Sequence, residues 1–137
     1  MLDTNICIYL LKRYPPEVAR RFRSLREGQV VMSAVTYAEL RAGLEMHSGH
    51  AGPLAQRAHD EQVLRLLAQR IPVLAFDHIA AERFGILRAA VRDRRRDALD
   101  RLIAAHAVSL GATLVTNNEA DFADYPGLQI ENWVRAD

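Results

Sequence analysis

The sequence predicts an α/β fold built on a mostly parallel sheet. Short apolar runs alternate with longer segments of helical periodicity, and no internal repeat or low-complexity linker interrupts them. The chain has 137 residues, 50% of them hydrophobic. A core of this size should bury about two thirds of the surface that the unfolded chain exposes. We therefore expect a single domain over residues 1–137.

Capping residues and prolines set the expected boundaries in the first half of the chain. Asp3 can cap the first helix, and Pro15 and Pro16 end that helix and begin the next. The expected elements are a strand stub at 1–2, helices at 4–13 and 16–27, a strand at 29–32, a helix from 33 to about 46 and a turn-rich break at 48–53.

The second half continues the alternation. Asp77 is expected to cap one helix, and Gly111 to end another in the left-handed conformation. The expected elements are a helix at 53–69, a strand at 71–76, helices from 78 to about 92 and at 97–110, a strand at 113–116, a loop or short helix at 117–124 and a strand at 128–131. Folds of this kind bind ligands at the carboxyl ends of their strands.

Composition excludes several classes of protein. Cys7 is the only cysteine, so the sequence offers neither an internal disulfide nor a cysteine pair for zinc, which favours the reducing cytoplasm. No apolar run approaches the ~20 residues of a membrane span, and no basic segment precedes an apolar one at the N-terminus. We expect neither secretion nor membrane insertion.

The net charge of +1 excludes a uniformly basic nucleic-acid binder, so a polyanion would have to meet a local patch. Lys12 is the only lysine among 18 basic residues. The resulting excess of arginine over lysine suits phosphate contacts, but a GC-rich genome explains it as well. The candidate patch residues are Arg20, Arg21, Arg23 and Arg26, and those from Arg88 to Arg101. Each is explained equally well as part of a solvated helix face.

Several nucleotide and hydrolase motifs are absent. The chain has no GxGxxG loop, no GxxxxGK[ST] loop and no GxSxG turn, and its histidines have no zinc spacing. A nucleotide-binding module and a serine hydrolase therefore lose their main support. His106 is expected to be a core residue, because it lies on an apolar helix stripe. The other stripe residues are Leu99, Leu102, Ile103, Ala107 and Leu110.

Four acidic residues lie where a parallel sheet would place a site: Asp3, Glu39, Asp100 and Asp121. Asp100 stands at the edge of the apolar stripe, where a carboxylate needs a compensating partner such as a divalent cation. Carboxylate oxygens suit Mg²⁺ or Mn²⁺, which can activate a water for attack on a phosphodiester. Spacing alone leaves other interpretations open: helix cap, first-turn acid, or solvated surface acid.

Four segments carry a resemblance. They are LDTNICIYLLK at 2–12, SAVTYAELRAG at 33–43, DRLIAAHAVSLGATLVTNNEADF at 100–122 and PGLQIENW at 126–133. Together, and in this order, they resemble the PIN-domain toxins of VapC type. The resemblance implies a three-layer α/β/α, Rossmann-like PIN fold and an endoribonuclease that uses Mg²⁺ or Mn²⁺ and cleaves tRNA or another structured RNA. It also implies a cognate VapB-type antitoxin, a homodimer and higher toxin–antitoxin assemblies.

The resemblance implies a role for each matching residue. Asp3 and Asp100 would hold the metal, and Glu39 and Asp121 would position or deprotonate the attacking water. The supporting polar residues are Asn5, Thr116 and, as a weaker candidate, Asn117. The antitoxin is expected in a groove between the helix of Glu39 and the helix after Pro53. There an antitoxin Arg or Lys would compete with the metal and gain a charge-assisted bond.

The chain departs from the family pattern at two places. Only Met1 and Leu2 precede Asp3, where the family has a full strand, and a clipped strand would hold Asp3 less firmly. Residues 94–99 replace a Gly- and Pro-containing loop, so the helix could run through and Asp97 becomes an alternative ligand. The alternative function is therefore a catalytically impaired PIN-fold protein that keeps its antitoxin interface.

Overall fold

The structure, a computed structural model, describes residues 1–48, 54–92 and 98–135. Its helices are α1 (Thr4–Lys12), α2 (Pro16–Arg23), α3 (Ala34–Ser48), α4 (Leu54–Arg70), α5 (His78–Ala90), α6 (Ala98–Leu110) and α7 (Glu119–Phe122). Its strands are β1 (Met32–Ser33), β2 (Val73–Leu74), β3 (Leu114–Val115) and β4 (Ile130–Glu131). Most of the break expected at 48–53, and Asp97, lie outside the described residues. Within the described part of the chain, no helix is long and apolar enough to cross a membrane.

The strands form one parallel sheet with Leu2 at its centre. β1 pairs with β2 and β3 with β4, in parallel register. Leu2 makes parallel bridges to Met32 on one side and to Val115 on the other. The amide of Leu2 donates to the Val31 carbonyl and the amide of Asp3 to the Val115 carbonyl, both at 3.0 Å. The order across the sheet is therefore β2, β1, Leu2, β3, β4, and the strand stub expected at 1–2 is confirmed.

Adjacent residues of the strands enter two separate hydrophobic clusters, one on each face of the sheet. Leu2 and Val115 belong to the first cluster, while Met1 and Leu114 belong to the second, as the period of two along a strand requires. The first cluster takes residues from α1 to α4 and the second from α5 to α7. The three-layer α/β/α arrangement is thereby confirmed.

Helix ends follow the capping residues. The carboxylate of Asp3 accepts from the Ile6 amide and that of Asp77 from the Ala80 amide, both at 2.9 Å. α6 ends at Gly111, whose φ of +64° costs glycine little. These boundaries confirm the predictions at the three positions.

Two kinds of element are shorter than expected. The helix predicted to run to Glu27 ends at Arg23, because the Arg26 amide turns to the side chain of Gln29 at 2.7 Å instead of continuing the helix. Regular strand pairing covers two residues in each case, although Val30 and Ile71 outside the paired segments are also buried. An apolar run therefore predicted burial correctly and overestimated the length of pairing.

The apolar stripe predicted for α6 holds only in the middle of the helix. Ile103, His106 and Ala107 are buried, but Leu99 is 40% and Leu110 50% exposed. Both α5 and α3 pack against this helix. Arg101, expected among arginines of a nucleic-acid patch, is instead 3% exposed. A buried guanidinium cannot form part of a surface patch, so that expectation was wrong for Arg101.

Truncation of Leu2 tests the central position of this residue. Leu2→Ala should lower the free energy of unfolding by about 2–5 kcal/mol, because the side chain is completely buried. Urea titration followed by circular dichroism measures the change. Leu66→Ala on α4 is the matched control, since Leu66 is 52% exposed, and should change stability by less than about 0.5 kcal/mol. Equal losses would contradict the central packing role of Leu2.

Candidate active site

The candidate site lies at the carboxyl edge of the parallel sheet. Asp3 directly follows the central bridge, Thr116 follows β3, and α3 with Glu39 starts directly after β1. Because parallel strands bring their carboxyl ends to one edge, these three side chains converge although they are far apart in sequence.

Asp3 is a buried carboxylate, 5% exposed. It accepts a hydrogen bond from the Ile6 amide at 2.9 Å, and the Asn5 amide and the Thr116 hydroxyl are the other donors that act on it. Burial raises the pKa of Asp3, and the negative charge of Glu39 raises it further, while those three donors lower it. The net direction is upward. The ionised form of Asp3 therefore lowers the stability of the folded chain, and a bound cation would offset this loss.

Glu39 is fixed next to Asp3 by a hydroxyl group. The Oγ1 of Thr4 donates to Oε1 of Glu39 at 2.6 Å, which joins the first residue of α1 to α3. In the sequence, Thr4 was expected only as the first residue of a helix. The signal that could have found it is its position beside Asp3, at the edge where the acids were expected.

A second group of polar side chains follows β3. The hydroxyl of Thr116, which is completely buried, accepts from the Asn118 amide at 3.0 Å. The Asn118 side chain donates to Asp121 at 2.5 Å. Thr116 therefore interacts with both Asp3 and Asn118, whereas Asp121 is an exposed residue that Asn118 holds in place. Asn118 was missed in the sequence.

Asn117 points toward α1. Its Nδ2 donates to the Tyr9 hydroxyl at 2.8 Å, and its Oδ1 is buried without a hydrogen-bond donor among the described residues. Nothing in the sequence connects these two residues, which are 108 positions apart. Tyr9 thus orients the side chain of Asn117.

Asp100 lies in the first turn of α6 and is half-buried. The structure brings Asp3 and Glu39 together with Thr116, but within the described ranges no three His, Cys, Asp or Glu side chains are arranged to hold a metal ion. Asp100 lies on α6, before β3, and Asp121 lies on α7, after it. The structure therefore pairs Asp3 with Glu39 and shows no ready cage of acids among the residues that it describes.

The donor set fits a hard divalent cation better than a soft one. Asp3 and Glu39 supply carboxylate oxygens, and Thr4 and Thr116 supply the neutral groups that orient them. Magnesium usually takes only one or two protein carboxylates and keeps several waters. A site for such an ion therefore needs no four-carboxylate cage.

His106 is a core residue, as expected. It is 2% exposed, its Nδ1 lies 2.8 Å from Oγ of Ser33, and its ring packs edge-on against Phe76. Burial lowers the pKa of His106, and Asp77 only partly opposes this. A neutral imidazole in this position packs α6 against the start of α3.

A groove of about 420 Å³ opens between α1, α3 and α4. Ion pairs from Arg41 to Glu61 at 2.5 Å and from Arg57 to Glu45 at 2.6 Å hold α3 and α4 together beside it. Glu39 belongs both to the acid pair and to the groove wall. The other lining residues are Ile8, Leu11, Lys12, Leu40, Gly43, Leu44, His59, Asp60, Val63 and Leu64.

The burial of Asp3 sets the direction in which stability depends on pH. Because the pKa of Asp3 is raised in the folded state, stability falls as pH rises from the ordinary pKa toward the raised one. Asp3→Asn keeps a capping side chain and removes the charge. It should therefore stabilise the protein in EDTA near neutral pH, and less so at about pH 4. Thermal unfolding at both pH values measures the difference.

The matched control is Asp77→Asn. Asp77 makes the same capping bond at 2.9 Å, but its side chain is exposed. We expect no gain in stability there. An equal gain in both variants, or a loss in Asp3→Asn near neutral pH, would contradict a destabilising charge at Asp3.

Comparison with known proteins identifies the family of this chain. The PIN domain family model matches residues 1–128. The tRNA(fMet)-specific endonuclease VapC of Shigella flexneri is 38% identical over 135 residues, which cover 97% of this chain and 96% of that protein. Ribonuclease VapC2 of Haemophilus influenzae is 35% identical over 136 residues, which cover 98% of this chain and 97% of that one.

Solved structures give the same result. VapBC2 from Rickettsia felis, bound to a DNA fragment from its promoter, superimposes with a TM-score of 0.83 at 29% identity and covers 97% of each chain. VapBC-1 from nontypeable Haemophilus influenzae gives a TM-score of 0.82 at 33% identity and 98% coverage of each. The expected resemblance is confirmed: this chain belongs to the PIN domain family and, within it, to the VapC group.

Proposed function

We propose that this chain is the toxin of a type II toxin–antitoxin system, an endoribonuclease that hydrolyses phosphodiester bonds in RNA. The observation that carries the proposal is the buried Asp3 carboxylate with Glu39 beside it at the carboxyl edge of the sheet. Relatives along nearly the whole chain are named as ribonucleases and tRNA endonucleases, and similar solved structures are VapBC complexes.

PIN-domain nucleases generally depend on a divalent metal, and we propose Mg²⁺ or Mn²⁺ here. Asp3 and Asp100 would hold the ion, which supplies charge neutralisation at the phosphate and a lowered pKa of water. Glu39 or Asp121 takes a proton from the attacking water, whose oxygen then bonds to phosphorus as the ester oxygen leaves. Asn5, Thr116 and Asn117 orient these groups.

The substrate is proposed to be tRNA or another structured RNA, since one relative is named a tRNA(fMet)-specific endonuclease. RNA of this kind is bound by its backbone and by exposed single-stranded bases. The outer face of α2 offers Arg20 and Arg23, both exposed, with Arg26 just beyond the helix. An enzyme acting on tRNA works in the cytoplasm, where we place this protein.

The groove between α1, α3 and α4 is the proposed site of a VapB-type antitoxin. Its apolar walls suit an amphipathic segment, and Glu39 offers a carboxylate to a cationic side chain. Such a cation would neutralise the acid that is proposed to act on the water, and its charge would oppose binding of the metal beside Asp3. We also propose a homodimer, to which Ile79 and Ile86 on α5, 50% and 55% exposed, would contribute apolar surface.

A catalytically impaired binding protein is not favoured. That alternative depended on a loosely held Asp3, but bridges on both sides of Leu2 and three hydrogen-bond donors fix this residue. The relatives at 35% identity and above are themselves named as nucleases.

Removal of single acids tests the proposed reaction. Asp3→Asn and Asp100→Asn should each lower the cleavage rate of a total tRNA preparation with Mg²⁺ or Mn²⁺ by at least about 100-fold, because misplaced catalytic groups alone can cost that much. Gel analysis of initial rates measures the loss. Asp77→Asn should cleave like the unaltered chain. Equal rates in all proteins would contradict the assigned acids.

Antitoxin binding gives a separate test. Glu39→Gln should weaken the affinity for the purified cognate antitoxin by about 10-fold or more, because a charge-assisted bond is lost. Isothermal titration calorimetry measures it. Val63→Asp should also weaken binding, by placing a charge on the apolar wall. Glu82→Gln on the exposed face of α5 is the control. Unchanged affinity in Glu39→Gln would indicate capture by apolar contacts alone.

A further inference from the structure

We infer that Thr4 is a positioning residue of the cleavage reaction, whose hydroxyl fixes the Glu39 carboxylate beside Asp3. The inference rests on the proposed function, in which Glu39 acts on the attacking water. It begins from the 2.6 Å bond between Oγ1 of Thr4 and Oε1 of Glu39, which joins two elements 35 residues apart.

The position of Thr4 in its helix explains why this hydroxyl is available. A threonine inside a helix commonly donates to the carbonyl three or four residues before it. Thr4 is the first residue of α1, after the cap Asp3, so no earlier helical carbonyl competes for its proton. The branched side chain has few rotamers, which makes it a stiff donor.

Glu39 needs such a donor because two influences draw it away from the site. The negative charge of Asp3 is close enough to interact with it, and like charges repel. On its other side lies the groove of about 420 Å³, into which the flexible Glu39 side chain could turn. A hydrogen bond to an ionised acceptor is roughly twice as strong as one between neutral groups, so Thr4 opposes both influences.

A purely structural role for the bond is less consistent with the packing. α1 and α3 already contact through apolar residues of the first cluster, among them Ile6 and Leu40. Glu39 is only half-buried, so without its partner it can be hydrated. The bond therefore contributes chiefly to the placement of one oxygen of Glu39.

The test separates the hydroxyl from the side-chain volume. Thr4→Val should lower kcat for tRNA cleavage by about 10–100-fold, with KM little changed, since residues that orient active-site groups have effects of this size. It should also weaken Mn²⁺ affinity, measured by calorimetry without RNA, because a displaced Glu39 no longer adds its negative charge beside Asp3. Thr4→Ser keeps the hydroxyl and should restore both. The melting temperature of each variant should stay within about 3 °C of the unaltered chain.

Two controls decide what a loss means. Thr113→Val removes a threonine hydroxyl at the opposite end of the sheet and should leave kcat and Mn²⁺ affinity unchanged. In a Glu39→Gln background, Thr4→Val should add less than about a 2-fold effect, because both changes act on one group. Full additivity, failure of Thr4→Ser to rescue, or a Thr4→Val protein that behaves like Thr113→Val would each overturn the inference.

RNA cleavage by the unaltered chain tests the proposed function separately from the role of Thr4. An unaltered chain that cleaves no RNA with Mg²⁺ or Mn²⁺ would contradict the nuclease. The Mn²⁺ titration of Thr4→Val and Thr4→Ser would then still decide whether the hydroxyl positions Glu39.

Discussion

The parallel bridges that Leu2 makes to Met32 and Val115 join two short strand pairs into one sheet. Each pair contributes two residues to its ladder, too few to hold a sheet by hydrogen bonds alone. Burial of Leu2 contributes about 2–3 kcal/mol to stability. Successive residues of the sheet alternate between the two hydrophobic clusters on its two faces. The next residue is Asp3. The same contacts that close the core therefore also fix the first acid at the carboxyl edge.

Asp3 both caps α1 and belongs to the candidate site, and these two roles favour different environments. As the cap of α1 it satisfies the Ile6 amide, a role that an exposed aspartate fills equally well at Asp77. Its burial beside Glu39 raises its pKa and makes the ionised form costly. The surrounding core supplies the stability that permits this cost, as is common where function requires a strained site.

Local signals in the sequence were sufficient for some features and not for others. Caps at Asp3 and Asp77, the helix end at Gly111 and the buried His106 depend on nearby residues or on periodicity, and all were predicted. The contacts of Thr4 with Glu39 and of Tyr9 with Asn117 join residues 35 and 108 positions apart, which only the folded chain brings together. Arg101 was misjudged for a related reason, because its burial depends on the packing of α6 and not on its own polarity.

Helix α3 places Glu39 beside Asp3, and less than two turns further on it places Leu40 and Leu44 in the wall of the groove. An inhibitor bound in that groove would contact the same helix surface that the reaction requires. Substitutions on α3 that weaken the inhibitor would tend to harm the enzyme too, so few single changes could free an active toxin. Shared use of one helix would then protect the host cell against evolutionary escape of the toxin.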